Sequence, residues 1–570
     1  MYSERRGPAV VDHWCNVEVR VAQMTGGQAL VRSLKREGVE TVFGLPGVQL
    51  DWAFDALYEE RDAIRVYHTR HEQATAYMAD GYARTTGRVG TCLVVPGPGL
   101  LNAAAGLATS YACSSPVLCV TGQINSDLIG VGRGVLHEIP EQLRLAGSFS
   151  KWAARAAHPA EIPRLVREAF RQLQTGRPRP VVLEIPPDVL QMTADVHLLD
   201  PVAVAPLAGD PERVERAARA LGEARQPLIF AGGGVLAADA SDELRQLAEL
   251  LEAPVLLSNN GKGAISDRHH LAQYSIAMPD LIAGSDAVLA VGTRFVQSTT
   301  PLWPAGPGRT YVQIDVDPSE IGRNLEPTVG IAADAKLGLA ALVDRVARHN
   351  HARSSRRDEL LALKQKSEAD LDAIQPQAAF AKAIRAELPD DGIFVSESTQ
   401  VGYWSHAGFP VYQPRTFVTS GYQGTLGYGF ATALGVQAGN PDRKVVSISG
   451  DGGFMYNVQE LSTMVRHRIN LVAVVFDDGA FGNVRRIQRQ QFGGRTIASD
   501  LLNPDFLKLA DSFGIRRIRA DGPAQLRTAV REALRANEPA LIAVPVGEMP
   551  SMWHLLRGRQ AAQPPAPVRA

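Results

Sequence analysis

Short apolar runs with no polar interruption recur along this chain, and each is followed by residues with helical spacing. Residues 90–95 (Gly-Thr-Cys-Leu-Val-Val), 116–121 (Pro-Val-Leu-Cys-Val-Thr) and 471–476 (Leu-Val-Ala-Val-Val-Phe) are examples. A strand with one wet face alternates apolar and polar residues; a strand covered on both faces need not. Helices between such strands supply the cover. The expected fold class is therefore α/β, with parallel sheets flanked by helices.

Regular patterning starts near Met24. An amphipathic helix is expected over residues 27–37 and a short strand over 41–43, ending in Gly44-Leu45-Pro46-Gly47. A first unit then runs over 24–190 and closes with the apolar strand 180–186. Residues 200–210 are rich in Pro, Ala and Val without helical period and read as a linker. The second unit, 205–345, has strands at 228–231, 287–291 and 310–315. Charged helical residues 345–375 lead into the third unit, 376–548, with strands at 392–395, 444–448, 471–476 and 540–544. The architecture is three doubly wound parallel-sheet units in series, whose ligands should gather beyond the carboxyl ends of strands. Residues 1–23 read as a disordered leader or as sequence upstream of the true start. Residues 549–570 read as a tail, with 549–554 (Met-Pro-Ser-Met-Trp-His) a candidate lid.

Composition serves mainly to exclude. A net charge of −1 over 570 residues gives no reason to expect nucleic acid or an anionic membrane as partner. No apolar run reaches the roughly 18–20 residues of a membrane helix, and the leader lacks the apolar centre of a secretory signal. Cys15, Cys92, Cys113 and Cys119 form no CxxC pair, and three of them lie in apolar stretches, as packed reduced thiols do. A cytoplasmic protein is the expectation.

Chemistry collects at two strand ends. The strand 444–448 runs into Ser449-Gly450-Asp451-Gly452-Gly453-Phe454 before a helix. Glycines let the backbone approach an anion, and a helix N-terminus offers free N–H groups. An acid in that place repels a bare phosphate, so Asp451 makes sense as the ligand of a divalent cation that bridges to a diphosphate. One helix and one strand further on, Phe476-Asp477-Asp478-Gly479-Ala480-Phe481 ends the next strand, where Asp478 can reach the same cation. Gly-Asp-Gly alone reads as a plain turn; the second polar strand end at this spacing points to a metal–diphosphate site.

This pair resembles the signature of the thiamine-diphosphate enzymes. In that family Gly-Asp-Gly is followed by a pair of asparagines, and the second Asn and a backbone carbonyl two residues on join the aspartate on the metal. The resemblance implies Asp451, Asp478 and the Ala480 carbonyl as Mg²⁺ ligands, with Gly450, Gly452, Gly453 and Phe481 around thiamine diphosphate. Asp477-Asp478 replaces the family's Asn pair and adds a negative charge. Residues 69–84 (Thr-Arg-His-Glu-Gln-Ala-Thr-Ala-Tyr-Met-Ala-Asp-Gly-Tyr-Ala-Arg) resemble the segment whose buried glutamate activates the cofactor, which makes Glu72 the candidate. By itself Glu72 also reads as a first-turn helix glutamate, and His71 as a packed histidine bonded to backbone. Pro46, the Pro96-Gly97-Pro98-Gly99 turn and Gln123 resemble further parts of that active site. In residues 420–429, Leu426 stands where the family wedges its cofactor into a bent shape, and the Gly424 carbonyl where the aminopyrimidine donates. A core leucine is the other reading of Leu426. Thr399 and Gln400 match diphosphate contacts.

Within the family, residues 43–47, Gly292-Thr293-Arg294-Phe295 and residues 314–322 resemble the acetolactate synthase large-subunit-like branch, whose members join two 2-oxo acids with loss of CO₂. The resemblance implies aminopyrimidine-binding, central and diphosphate-binding domains. It implies a decarboxylating carboligase of pyruvate or a related 2-oxo acid, assembled as a homodimer or homotetramer. A lyase or non-ligating decarboxylase with the same cofactor is the alternative, and a catalytically silent assembly paralogue the non-enzymatic one. Nothing in the chain specifies a regulatory subunit. Where that branch has Gly-Met-Val…Trp, this chain has Gly482, Asn483, Val484 and Ile487, which implies a more polar pocket; Arg485 and Arg486 read as solvated, with contact to a carboxylate or phosphate the alternative. The branch also binds FAD. Gly232-Gly233-Gly234, Arg294, Asp315 and Asp334 match parts of that site, but Val296 and residues 276–279 do not, so little bound flavin is expected.

Overall fold

The computed structural model describes residues 21–295, 308–553 and 555. The first unit contains β1 (Val21–Thr25), β2 (Thr41–Gly44), β3 (Arg65–His68), β4 (Gly90–Val94), β5 (Val117–Gly122), β6 (Trp152–Arg155), β7 (Val181–Ile185) and β8 (Thr193–His197). Six of these form a parallel sheet in the order β3-β2-β4-β5-β7-β6. Every residue of β4, β5 and β7 is buried, as strands covered on both faces must be.

The two remaining strands correct the sequence reading. β1 pairs antiparallel with β8, Val21 opposite His197 and Thr25 opposite Thr193. Residues 21–23, assigned to the leader, therefore lie in a strand, and this pairing carries the first unit on to His197. Only Met24 of β1 is buried, so the strand has no alternating apolar pattern to read, and its partner lies a whole domain away. The leader before Val21 and Val296 lie outside the described residues.

The central unit holds β9 (Pro227–Ala231), β10 (Val255–Leu257), β11 (Ala272–Gln273), β12 (Ala287–Val291), β13 (Thr310–Asp315) and β14 (Val329–Ala332), in the parallel order β11-β10-β9-β12-β13-β14. The charged connector forms the helix Arg357–Asp372. The third unit holds β15 (Ile393–Ser396), β16 (Phe417–Thr419), β17 (Val445–Gly450), β18 (Val472–Asp477), β19 (Arg516–Arg519) and β20 (Ala540–Pro545), ordered β16-β15-β17-β18-β20-β19. That is the winding of the first unit repeated, with the change of direction between β15 and β17 as between β2 and β4.

The first and third units share one hydrophobic core. Helix Glu72–Thr86 lies against helix Tyr428–Gly439, and Tyr77 meets Tyr428 edge to face at 5.7 Å. Backbones touch there: a Cβ on Gly81 would fall 2.3 Å from the Thr432 carbonyl oxygen, and one on Gly435 2.0 Å from that of Met78. Residues Met549 and Met552, read as tail, are buried in the third unit, and Gln377 Nε2 donates to the Pro550 carbonyl at 2.6 Å. Among the described residues no helix is long and apolar enough to cross a membrane.

Candidate active site

β17 and β18 are neighbours, with Gly450 opposite Phe476. A cavity of about 240 Å³ lies against their carboxyl ends. Gly450, Asp451, Gly452 and Gly453 line it from the β17 side, and Asp478, Ala480 and Phe481 from the β18 side. Thr399 and Gln400, following β15, and Gly424 and Leu426, preceding helix Tyr428–Gly439, also line it. Gly424 (φ 61°) and Gly427 (φ 82°) bracket Leu426 in left-handed turns that a side chain would strain. Leu426 is only partly buried and faces the cavity, so it is not a core leucine.

Asp451 is 1% exposed. Burial pushes its carboxyl up to about 6, with the Asp478 charge adding to the shift and a hydrogen bond from Asn503 opposing it. Asp478 is raised too, first by burial, and its side chain is in hydrogen-bonding contact with Asp451. A buried acid in contact with a half-buried one favours a proton or a cation between them. A hard divalent cation fits this set, since it takes carboxylate and carbonyl oxygens. Among the described residues no three His, Cys, Asp or Glu side chains are placed to hold a metal, so a cation held here would need backbone and ligand oxygens to complete its shell.

Pro46, Glu72 and Gln123 do not line this cavity. They stand at strand ends of the first sheet, after β2, β3 and β5 respectively. Glu72 opens its helix; its Oε2 accepts from Asn102 Nδ2 at 3.0 Å, and a Cβ on Gly99 would lie 3.6 Å from its Oε1. His71 caps that helix, its Nδ1 accepting from the Gln73 N–H at 3.2 Å, the packed role read from the sequence. Gln123 is buried, and its Oε1 accepts from the Ile124 N–H at 2.8 Å.

Comparison with known proteins places these strand ends in one family. The thiamine pyrophosphate enzyme N-terminal TPP binding domain matches residues 24–145, its central domain 214–342 and its C-terminal TPP binding domain 397–544. A probable acetolactate synthase large subunit of Methanococcus aeolicus is 35% identical over 557 residues, 91% of each chain. This chain belongs to the thiamine pyrophosphate enzymes. Its relatives among them include the acetolactate synthase isozyme 2 large subunit of Escherichia coli strain K12, 32% identical over 94% of this chain and 97% of that one. A probable 2-ketoarginine decarboxylase of Pseudomonas aeruginosa is 35% identical over 86% of this chain and 88% of its own.

Around its cavity this thiamine pyrophosphate enzyme carries residues that sequence reading missed. Asn503 Nδ2 donates to Asp451 Oδ2 at 2.6 Å and to Asp477 Oδ1 at 2.8 Å. Glu397, 1% exposed and pushed up to about 7 by burial, accepts from the Gly427 N–H at 2.5 Å. A Cβ on Gly453 would fall 2.3 Å from its Oε1, so Glu397 joins the Leu426 turn to the Asp451 turn. In the first unit, Gln142 accepts from the Gly97 N–H at 2.7 Å and donates to the Gly122 carbonyl at 3.0 Å, tying the Pro96–Gly99 turn to the end of β5. The one available signal was an acid closing an otherwise apolar strand at Glu397. Asn503 and Gln142 lie in no motif.

The two arginines also part from the expectation. Arg485 Nη1 pairs with Asp500 at 3.0 Å. Arg486 is not solvated: it is 8% exposed, the one buried residue of helix Gly482–Gln491.

A second cavity, about 690 Å³, opens in the central unit of this thiamine pyrophosphate enzyme, where the strand order changes direction between the parallel neighbours β9 and β12. Gly233, Gly234, Arg294, Asp315 and Asp334 line it, together with Tyr422 and Trp553 from the third unit and its extension. There is room for a dinucleotide. Two donors of the glycine turn, however, are spent on the protein: Gly232 N–H goes to the Val291 carbonyl (3.0 Å) and Gly234 N–H to that of Gly292 (3.1 Å). Asp334 Oδ1 is likewise committed, capping the next helix through Lys336 and Leu337.

Proposed function

We propose that this thiamine pyrophosphate enzyme is a decarboxylating carboligase of 2-oxo acids, similar to acetolactate synthases, with pyruvate or a close analogue as donor. The reading is carried by the paired acids Asp451 and Asp478 in a glycine-lined cavity, with the acetolactate synthase large subunits among the relatives as support. Asp451, Asp478 and the Ala480 carbonyl would hold Mg²⁺, and Gly450–Gly453 with Thr399 and Gln400 would receive the diphosphate. Leu426 would support the bend of the cofactor and the Gly424 carbonyl would accept from its aminopyrimidine. Glu72 would hold the proton that activates that ring, with Gln123 near the reacting carbon. Bound thiamine diphosphate supplies a nucleophilic carbon and a sink for the electrons released as CO₂ departs.

Because Glu72 does not line the cavity of its own chain, two chains are proposed to build each site, in a homodimer or homotetramer. Exposed apolar side chains occur in both halves: Val484, Phe492, Ile497 and Leu502 in the segment that follows β18, and Val48, Leu101 and Leu136 in the first unit. No regulatory subunit is required by this reading. The test is incubation with pyruvate: acetolactate is the expected product, while acetaldehyde alone rejects ligation. The likeness to a 2-ketoarginine decarboxylase favours a non-ligating decarboxylase as second reading. Bound flavin is not expected, since two donors of the Gly232–Gly234 turn are committed to backbone. A stoichiometric flavin absorbance that survives desalting would reverse that.

A further inference from the structure

Glu460 lies fully buried in the third unit, at the end of the 3₁₀ segment Met455–Glu460 that continues from helix Asp451–Phe454. Burying an acid is costly unless hydrogen bonds receive it. The Arg70 N–H points between its two oxygens, 3.1 Å from each, and Thr463 Oγ1 donates to Oε2 at 2.5 Å. Burial raises the carboxyl, while bonds from Thr463 and from the Arg70 and His71 N–H groups oppose the rise. Arg70 and His71 belong to the first unit and immediately precede Glu72. Two more ties flank them. The His68 N–H donates to His467 Nε2 at 3.1 Å. Asn457 Nδ2 donates to the Gly427 carbonyl at 2.7 Å and to Gln73 Oε1 at 3.4 Å. The third unit thus grips the chain on both sides of Glu72, whose own carboxylate is bonded within the first unit by Asn102.

We infer that Glu460 is a positioning residue for Glu72: by holding the Arg70 and His71 backbone it sets where the Glu72 carboxylate stands. The inference rests on the reading of Glu72 as the activating acid. An acceptor with two oxygens suits this place, because two consecutive N–H groups and a hydroxyl converge on it. Glutamine has the same size but one acceptor oxygen, and its amide donors would face groups that also donate. The segment from Arg70 to Glu72 must then shift. A proton-transfer group displaced by about 1 Å can lose roughly 10²-fold in rate. A buried acid that merely glued the two units together would alter stability and leave the Glu72 chemistry as it was.

The test is a double-mutant cycle on the holoenzyme, read by C2–H exchange of bound thiamine diphosphate in the wild type, Glu460→Gln, Glu72→Gln and the double variant. Glu460→Gln should slow exchange about 10- to 100-fold. Thiamine diphosphate and Mg²⁺ affinities should stay within about 2-fold of the wild type. In the Glu72→Gln background, adding Glu460→Gln should change exchange by less than about 2-fold, since the group it positions is already gone. Exchange at the wild-type rate in Glu460→Gln overturns the inference. So does slowing by the same factor with and without Glu72, which is the mark of a structural role. If Glu460→Gln does not fold, Thr463→Val takes its place in the cycle. It removes the hydroxyl that steadies Glu460, and about 3-fold slower exchange that vanishes without Glu72 is expected; an unchanged rate there overturns the inference. Undiminished exchange in Glu72→Gln alone sinks the reading of Glu72 itself, and this inference with it.

Discussion

Two glycine-rich turns close two strands of this enzyme and both line cavities, but the first glycine of each stands differently toward its neighbours. Gly232–Gly234 ends β9, but Cβ atoms on Gly232 and Gly234 would lie 2.2 and 2.6 Å from the backbone of Gly292. Those glycines let neighbouring strand ends touch. Gly450–Gly453 ends β17; a Cβ on Gly450 would meet nothing nearer than Thr399 at 3.7 Å. First-turn N–H groups of the helix that follows have no carbonyl one turn earlier. A run of glycines thus reports that something comes close. Only the neighbouring strand end shows whether it is a ligand or the protein itself.

The sharpest test removes the acid that distinguishes the two turns. Asp451→Ala should abolish Mg²⁺-dependent thiamine diphosphate binding, followed by calorimetry, whereas Asp478→Asn should be tolerated because an amide oxygen still ligates. The opposite pattern would show that the ligand pair is misassigned. Next in size, Glu72→Gln should keep cofactor affinity and slow C2–H exchange by at least ~10²-fold; undiminished exchange removes Glu72 from the chemistry.

A smaller effect is expected from pH. Asp451 sits at about 6, above the ordinary carboxylate value, so its negative form prevails only as pH rises through that point. Metal affinity should therefore fall about 10-fold from pH 7 to pH 5. In metal-free protein the same raised value makes stability decline as pH climbs from the ordinary carboxylate range toward 6, and added Mg²⁺ should cancel the decline. Mg²⁺ titrations with a flat pH response would contradict the burial assigned to Asp451. Smallest of all, Gly232→Ala should cost roughly 1–3 kcal/mol of stability by overpacking without touching cofactor affinity. Gly453→Ala, pressing on the Glu397 carboxylate, should weaken cofactor binding first. Thermal melts with and without thiamine diphosphate separate the two.

Much of this was legible in the sequence because parallel strands buried on both faces leave uninterrupted apolar runs, as in β4, β12 and β18. The Asp451 and Asp478 turns were legible because each ends such a run. What escaped depends on partners far along the chain. β1 meets β8 only after the whole first unit has folded, and Asn503 reaches Asp451 from a loop with no pattern. Arg486 read as solvated because its neighbours in sequence are polar; the walls that bury it come from elsewhere in the fold. The sequence also could not show that Glu72 stays out of the cavity holding Asp451, since that separation is a matter of how whole sheets sit.

The backbone contact between helices Glu72–Thr86 and Tyr428–Gly439 has a genetic consequence. With Gly81 and Gly435 leaving no slack, each polypeptide fixes its own Glu72 helix against its own third unit, the unit that carries Asp451. If those two parts serve different sites, as proposed, every chain is a half-share in two reaction centres. A gene lacking Glu72 and a gene lacking Asp451 would each be dead alone. Expressed together, they would complement, because the mixed pair restores one centre by concentrating both lesions in the other.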